Sequence, residues 1–100
     1  MRDEARCLEI QGITVTPRAG GAAISFDLAV SSPYRRPDFD AWACDVIWSR
    51  EDWRDHPIFG ATPFQAVQLA VRFAETRLRH ELDRAEVTVD GAPAVFDEVV

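Results

Sequence analysis

The chain has 100 residues, of which 47% are hydrophobic and 28% are charged, and its formal net charge is −6. These values are typical of one globular domain spanning residues 1–100, without the roughly 20 consecutive apolar residues that a membrane span needs. All 11 basic residues are arginines, which excludes mechanisms built on a lysine, such as Schiff-base catalysis or a P-loop. The negative charge disfavours a nucleic-acid partner and favours a basic protein partner.

The N-terminal residues predict the cellular location. Residues 1–6 are charged and lack the apolar stretch of a signal peptide, so we expect a cytoplasmic protein. A composition rich in arginine and alanine without lysine suggests a GC-rich bacterial genome. In the cytoplasm Cys7 and Cys44 are expected to be free thiols, with Cys44 buried between Trp42 and Trp48 on one strand face.

Three β-strands are predicted in the first half of the chain. The alternation of residues 8–15 slips by one position at Gly12, which indicates a β-bulge within a single strand. Residues 22–30 form the clearest alternating segment, and residues 31–38 then make a connection interrupted by two prolines. A third strand is predicted at about residues 39–48. Because the connections are short, the three strands should form an antiparallel meander.

A long helix is predicted to start at Thr62. This residue is a suitable N-cap, Pro63 takes the first helical position, and Gln65 can return its amide to the Thr62 backbone as in a capping box. Glycine at position 60 is expected to permit the turn before the helix.

The segments after the helix complete the predicted fold. Residues 87–89 and 94–96 read as strands joined by the turn signal Asp90-Gly91. The order β-β-β-α-β-β predicts an α+β fold in which an antiparallel sheet of three to five strands packs on one long helix.

The helix carries two apolar rows. The first row is predicted to face the core and contains Phe64, Val67, Val71, Ala74, Leu78 and Leu82. The second row contains Ala66, Leu69 and Phe73. We expect the second row to be covered by the C-terminal segment, by a partner protein or by a second copy of the chain.

The sequence contains no pattern that predicts catalytic residues, a cofactor or a metal. His56 and His80 lie in different elements without the spacing of metal ligands. Asp52 and Asp55 follow Arg50 in a polar loop, where exposed ion pairs of little energetic value are expected.

Binding residues are predicted on loops and on the second helix row. Trp53 and His56 lie in the loop before the helix, and arginines follow an aromatic residue at 34–36; these residue types are enriched at binding hot spots. The candidate binding residues are Leu69, Phe73, Trp53, His56, Tyr34, Arg35 and Arg36. Trp53 has an alternative role as a lid that folds back over the core.

Two motifs in the middle of the chain resemble a family of small bacterial proteins that is classed only as a domain of unknown function. They are Trp42-x-Cys44-x-x-Ile47 and Phe59-Gly60-x-Thr62-x-x-Gln65-Ala66-x-x-Leu69-Ala70. The resemblance covers residues 42–82. It implies strands followed by one long helix, and it carries no established activity and no catalytic residue.

The function expected from these features is a non-catalytic protein–protein interaction module, of which an immunity- or antitoxin-like inhibitor is one specific version. A small-molecule binder or enzyme is the first alternative, with a pocket between helix and sheet near Trp42, Trp48, Trp53 and His56. A homodimer formed through the second helix row is the other alternative.

Overall fold

One antiparallel sheet with one long helix packed on it makes up residues 5–93, the part of the chain that the computed structural model describes. This confirms the predicted α+β class. Within these residues, the helix lacks the continuous apolar length that a membrane span requires. The elements in chain order are β1 (Arg6–Pro17), β2 (Ile24–Ser31), β3 (Tyr34–Arg36), β4 (Ala41–Trp48), β5 (His56–Gly60), α1 (Pro63–Glu81), β6 (Ala85–Val89) and β7 (Ala92–Pro93).

The strand order across the sheet is β5-β4-β2-β1-β6-β7, and β3 lies beyond β2 along the same edge of β4. The predicted meander corresponds to β1, β2 and β4. The short strands β3 and β5 were not predicted, because prolines interrupt both segments and hide their alternation. Helix α1 connects β5, at one edge of the sheet, to β6 on the other side of the sheet, where β6 pairs with β1.

The predicted bulge in β1 is confirmed at Gly12. Ile10 pairs with Leu28 and Ile13 pairs with Phe26, so β1 carries one extra residue between these two positions. Gly12 has φ of +70°, a conformation that favours glycine, and its N–H donates to Asp27 Oδ1 at 3.1 Å. The bulge keeps both isoleucines on the core side of the strand.

Helix α1 begins as predicted, with one difference in the cap. Thr62 Oγ1 accepts a hydrogen bond from the Gln65 N–H at 3.0 Å, and Pro63 occupies the first turn. The Gln65 side chain returns to the backbone N–H of Ala61 at 2.6 Å, one residue before the predicted partner. Both bonds satisfy backbone donors that the first helical turn leaves unpaired.

The buried face of α1 lies between the two predicted rows, so the predicted core row was partly wrong. Phe64 was assigned to the core but is 82% exposed, whereas Ala66 of the second row is fully buried. Phe73 of that row is half-buried. The buried helix residues are Ala66, Ala70, Ala74, Leu78 and Glu81.

Small residues on both elements bring α1 close to the sheet. A Cβ atom added to Gly60 in β5 would lie 2.5 Å from the backbone nitrogen of Ala66. Glycine is therefore needed at position 60 because α1 and β5 lie too close together for a side chain. The expectation that Gly60 permits a turn was wrong. This approach places α1 over β4 and β5 and fixes its position beside the loop that joins these strands.

The hairpin between β6 and β7 forms at the predicted turn. Asp90 and Gly91 both have positive φ, as a two-residue type I′ turn requires, and Val89 pairs with Ala92. The predicted return strand at residues 94–96 lies outside the described residues.

Candidate functional site

A cleft of about 530 Å³ lies between α1 and the loop that joins β4 to β5. Its volume is in the range of small-molecule sites. The cleft lies where the sequence analysis placed the alternative pocket, except that Trp42 is not among its walls. The lining residues are Trp48, Asp52, Trp53, Arg54, His56, Phe73, Thr76, Arg77 and His80.

The β4–β5 loop is fixed at both ends by hydrogen bonds to backbone groups. At its start, Ser49 Oγ accepts from the Asp27 N–H at 2.7 Å, and the Ser49 N–H donates to the Asp27 carbonyl at 3.0 Å. At its end, Asp55 Oδ1 accepts from the Trp48 N–H at 3.2 Å. These bonds fix the loop residues between them beside the core.

Trp53 is a core residue that closes one side of the cleft. Its ring centroid is 4.7 Å from that of Trp48 in a T-shaped contact and 5.2 Å from that of Phe26. Trp53 is buried, so it is not the exposed binding residue that one interpretation of the sequence proposed. Its packing corresponds to the alternative role as a lid over the core.

Two guanidinium groups lie over the Trp53 ring, those of Arg50 and Arg77, each 4.2 Å from its centroid. Arg50 also donates two hydrogen bonds to the Asp52 carboxylate, at 2.9 and 2.7 Å. The Arg50 side chain is 8% exposed and that of Asp52 is 67% exposed, so the expected exposed ion pair is exposed only at its acid. These hydrogen bonds, with a further contribution from the charge of Arg77, hold the pKa of Asp52 below its ordinary value.

The remaining polar groups of the cleft are two arginines, two histidines and a threonine. Arg54 and Arg77 form no ion pair with any residue in the described range 5–93. His56 Nδ1 lies 3.0 Å from the Arg54 carbonyl oxygen, and its ring centroid is 5.2 Å from that of Phe73. The one acid among the lining residues, Asp52, is already bonded to Arg50. The cleft therefore has an excess of positive charge in a chain of net charge −6.

The structure brings three of the predicted binding residues to this cleft: Trp53, His56 and Phe73. Leu69 precedes Phe73 by one helical turn on the same side of α1; it is exposed and lies outside the lining. Trp53 and His56 thus lie where a pocket was predicted, whereas Phe73 had been assigned to an interface row on the helix.

The other three predicted binding residues lie at the β3 end of the sheet. Tyr34 Oη donates to Asp45 Oδ1 at 2.7 Å, and burial together with this carboxylate raises the pKa of Tyr34. Arg35 pairs with Asp40 at 2.7 Å, and Arg36 makes two hydrogen bonds to Asp38. These residues do not contribute to the cleft.

An aromatic pair is exposed near this end, on the sheet face away from α1. Phe59 pairs with Ala43 and so points opposite to Ile58, which packs against the core. The ring of Phe39 is 5.1 Å from that of Phe59, and Phe39 is 59% exposed. The Arg36 guanidinium lies 4.9 Å from the Phe39 centroid.

On α1, three cleft residues were missed from the sequence: Thr76, Arg77 and His80. They were missed because polar residues on an amphipathic helix are expected to face solvent. A signal was present, since Arg77 follows Phe73 by four residues and His80 follows Arg77 by three, so that all three share one side of the helix.

The arrangement suits binding by charge and hydrogen bonding. Neither His56 nor His80 hydrogen-bonds a serine, threonine or cysteine side chain within residues 5–93. The same residues contain no group of three or more side chains placed to hold a metal ion. The cleft does contain the N–H donors of two arginines beside aromatic rings. Arginine N–H groups are the donors that bind carboxylates and phosphates.

Comparisons of the chain with models of protein families, with curated proteins and with solved structures gave no match. The resemblance of residues 42–82 to a family of unknown function therefore stays a prediction.

Proposed function

We propose that this chain is a non-catalytic binding domain and that the cleft between α1 and the β4–β5 loop is its ligand site. The observation that carries the proposal is the convergence of Arg54, Arg77, His56 and His80 on one aromatic-walled cleft. The protein as a whole is acidic, so a local excess of positive charge is not explained by its composition.

The size and rigidity of the cleft support the same proposal. Its walls come from a capped helix and from a loop held at both ends by hydrogen bonds, so the site is formed before a ligand arrives. A preformed site avoids the entropic cost of ordering loops on binding. Aromatic walls with a few convergent polar groups are the usual composition of a small-molecule site.

A pair of helix variants tests where the ligand binds. Thr76 is exposed and lines the cleft, so Thr76→Tyr should fill the cleft without entering the core. Gln68 is exposed on the same helix away from the cleft, and Gln68→Tyr is the matched control. Both variants are expected to keep the melting temperature of the wild type within a few degrees.

The assay is a thermal-shift screen of small organic anions at about 5 mM, far above the dissociation constant expected of a specific ligand. Compounds that raise the melting temperature of the wild type should stabilise Gln68→Tyr equally and should not stabilise Thr76→Tyr. Equal stabilisation of all three proteins would contradict the proposal. A screen in which no compound stabilises the wild type would also contradict it.

The exposed aromatic pair Phe39 and Phe59 favours a second candidate function, association with a protein through the outer sheet face. Exposed aromatic rings beside arginine are typical of interface hot spots. A second copy of the chain is the partner that can be tested directly, and a basic protein, as in an immunity- or antitoxin-like role, is the other partner that the net charge favours.

Light scattering tests the self-association form of this candidate. A wild-type dimer should become a monomer in Phe39→Asp and should persist in Phe64→Asp, which places the same charge on the exposed Phe64 of α1. A monomeric wild type at about 100 µM would exclude a dimer of moderate affinity.

A further inference from the structure

We infer that the cleft recognises an oxyanion, a phosphate monoester or a carboxylate, joined to a flat apolar group, and that Arg77 is the residue that anchors the oxyanion. This inference rests on the proposed function, because it names the ligand class of the same cleft. It follows from the way Arg77 is held and from the order of side chains along α1.

Arg77 is held in place without using its hydrogen-bond donors. Its guanidinium lies 4.2 Å from the Trp53 ring centroid, and Trp53 is fixed by contacts with Trp48 and Phe26. No described residue accepts a hydrogen bond from Arg77. An arginine held against an aromatic ring keeps a planar fork of N–H groups that matches two oxygens of a carboxylate or phosphate.

The neighbouring acid does not compete for this fork. Asp52 lies close enough for the charge of Arg77 to lower its pKa, but both of its oxygens accept hydrogen bonds from Arg50. Arg50 thus neutralises Asp52. The hydrogen-bond donors of Arg77 therefore stay available to a ligand.

The apolar part of the ligand is indicated by Phe73, one helical turn before Arg77. Residues four apart share one side of an α-helix, and both Phe73 and Arg77 line the cleft. An oxyanion on Arg77 therefore lies beside the Phe73 ring, where an aromatic ring that carries the oxyanion directly, or through one atom, can make contact. The half-buried Phe73 ring and the His56 ring, 5.2 Å apart, form the surface for the ring.

Four probes separate the two parts of the ligand. Phenyl phosphate and benzoate contain both the ring and the oxyanion, inorganic phosphate lacks the ring, and phenol lacks the oxyanion. By isothermal titration, we expect phenyl phosphate or benzoate to bind at least tenfold more tightly than inorganic phosphate and phenol. The tighter of the first two identifies the oxyanion as phosphate or carboxylate.

Variants of arginine test the anchoring role. Arg77→Gln should weaken binding of the tighter probe about tenfold, and Arg77→Lys, which keeps the charge but loses the fork, should lose an intermediate amount. Arg72→Gln, on the exposed side of the same helix, should change the affinity less than twofold. The melting temperature of each variant, measured alongside, shows that the protein is folded.

The outcomes that contradict this inference differ from those that contradict the proposed function. If phenol binds the wild type as tightly as phenyl phosphate does, and Thr76→Tyr abolishes phenol binding, the cleft is a ligand site but does not recognise an oxyanion. If phenyl phosphate and inorganic phosphate bind equally, the apolar group is not recognised. Equal affinities of Arg77→Gln and Arg72→Gln would overturn the role of Arg77.

Discussion

Replacing Gly60 with alanine should destabilise the protein strongly, because α1 passes too close to β5 for a side chain. The added Cβ atom would lie 2.5 Å from the backbone nitrogen of Ala66, whereas ordinary contact begins near 3.4 Å. The helix or the strand must therefore move by about 0.9 Å, the difference between these two distances. The atoms in the way belong to the backbone of a capped first turn, so no rotamer change relieves the contact.

The expected loss is about 3 kcal/mol of unfolding free energy, at the upper end of the cost of overpacking a core. In a domain of this size, that loss lowers the melting temperature by roughly 15 °C. Urea unfolding followed by tryptophan fluorescence measures it, since Trp48 and Trp53 are buried and become exposed on unfolding.

Two further variants separate the proposed clash from other effects. Ala61→Ser changes the adjacent exposed residue and should cost less than about 0.5 kcal/mol. Adding Ala66→Gly to Gly60→Ala should not restore stability, because the clash involves Ala66 backbone atoms and not its methyl group. A loss below about 1 kcal/mol in Gly60→Ala would refute the close approach that positions α1 beside the cleft.

Three other predictions concern separate parts of the fold. Tyr34 is the only tyrosine, so absorbance titration should give a phenol pKa above 10, which Asp45→Asn should lower. Because the folded state holds this proton more tightly, its stabilising contribution should be complete below pH 10 and should be lost as the pH rises above 10. Cys44 should react with a thiol reagent only after unfolding, since burial raises its pKa to about 11, whereas the exposed Cys7 should react in the folded protein. Phe64→Ser should change the free energy of unfolding by less than about 0.5 kcal/mol; a loss of several kcal/mol would place Phe64 in the core.

Local signals in the sequence predicted most of the fold. The shift in alternation at Gly12 indicated the bulge, because only an extra residue lets both halves of the strand direct their apolar side chains to the same core. Thr62, Pro63 and Gln65 indicated the helix start, because each satisfies or removes an unpaired backbone donor. These features depend on a few neighbouring residues, so sequence reasoning reached them.

Features that depend on how elements approach each other were not predictable in the same way. The predicted orientation of α1 about its own axis was wrong. The prediction assigned the large Phe64 to the core, whereas the helix packs on the sheet through a row of small alanines, of which Ala66 and Ala70 are the first two. Strand β5 was missed because its alternation is short and Pro57 interrupts it, although β4 supplies its pairing.

The residues of the candidate site divide in the same way, into those indicated by residue type and those brought together only by the fold. The loop residues Trp53 and His56 were placed near a pocket by residue type, whereas Arg77 lines the cleft through its position over Trp53, which is 24 positions earlier in the chain.

The measurement that tests the proposed ligand site most directly is an NMR titration of the ¹⁵N-labelled protein with phenyl phosphate. We predict that amide signals shift in two groups, residues 52–56 of the loop and residues 73–80 of α1, with saturation in the millimolar range or below. Shifts centred on Phe39 and Phe59, or no shifts at about 10 mM phenyl phosphate, would contradict the assignment of the cleft as a site for an aromatic oxyanion.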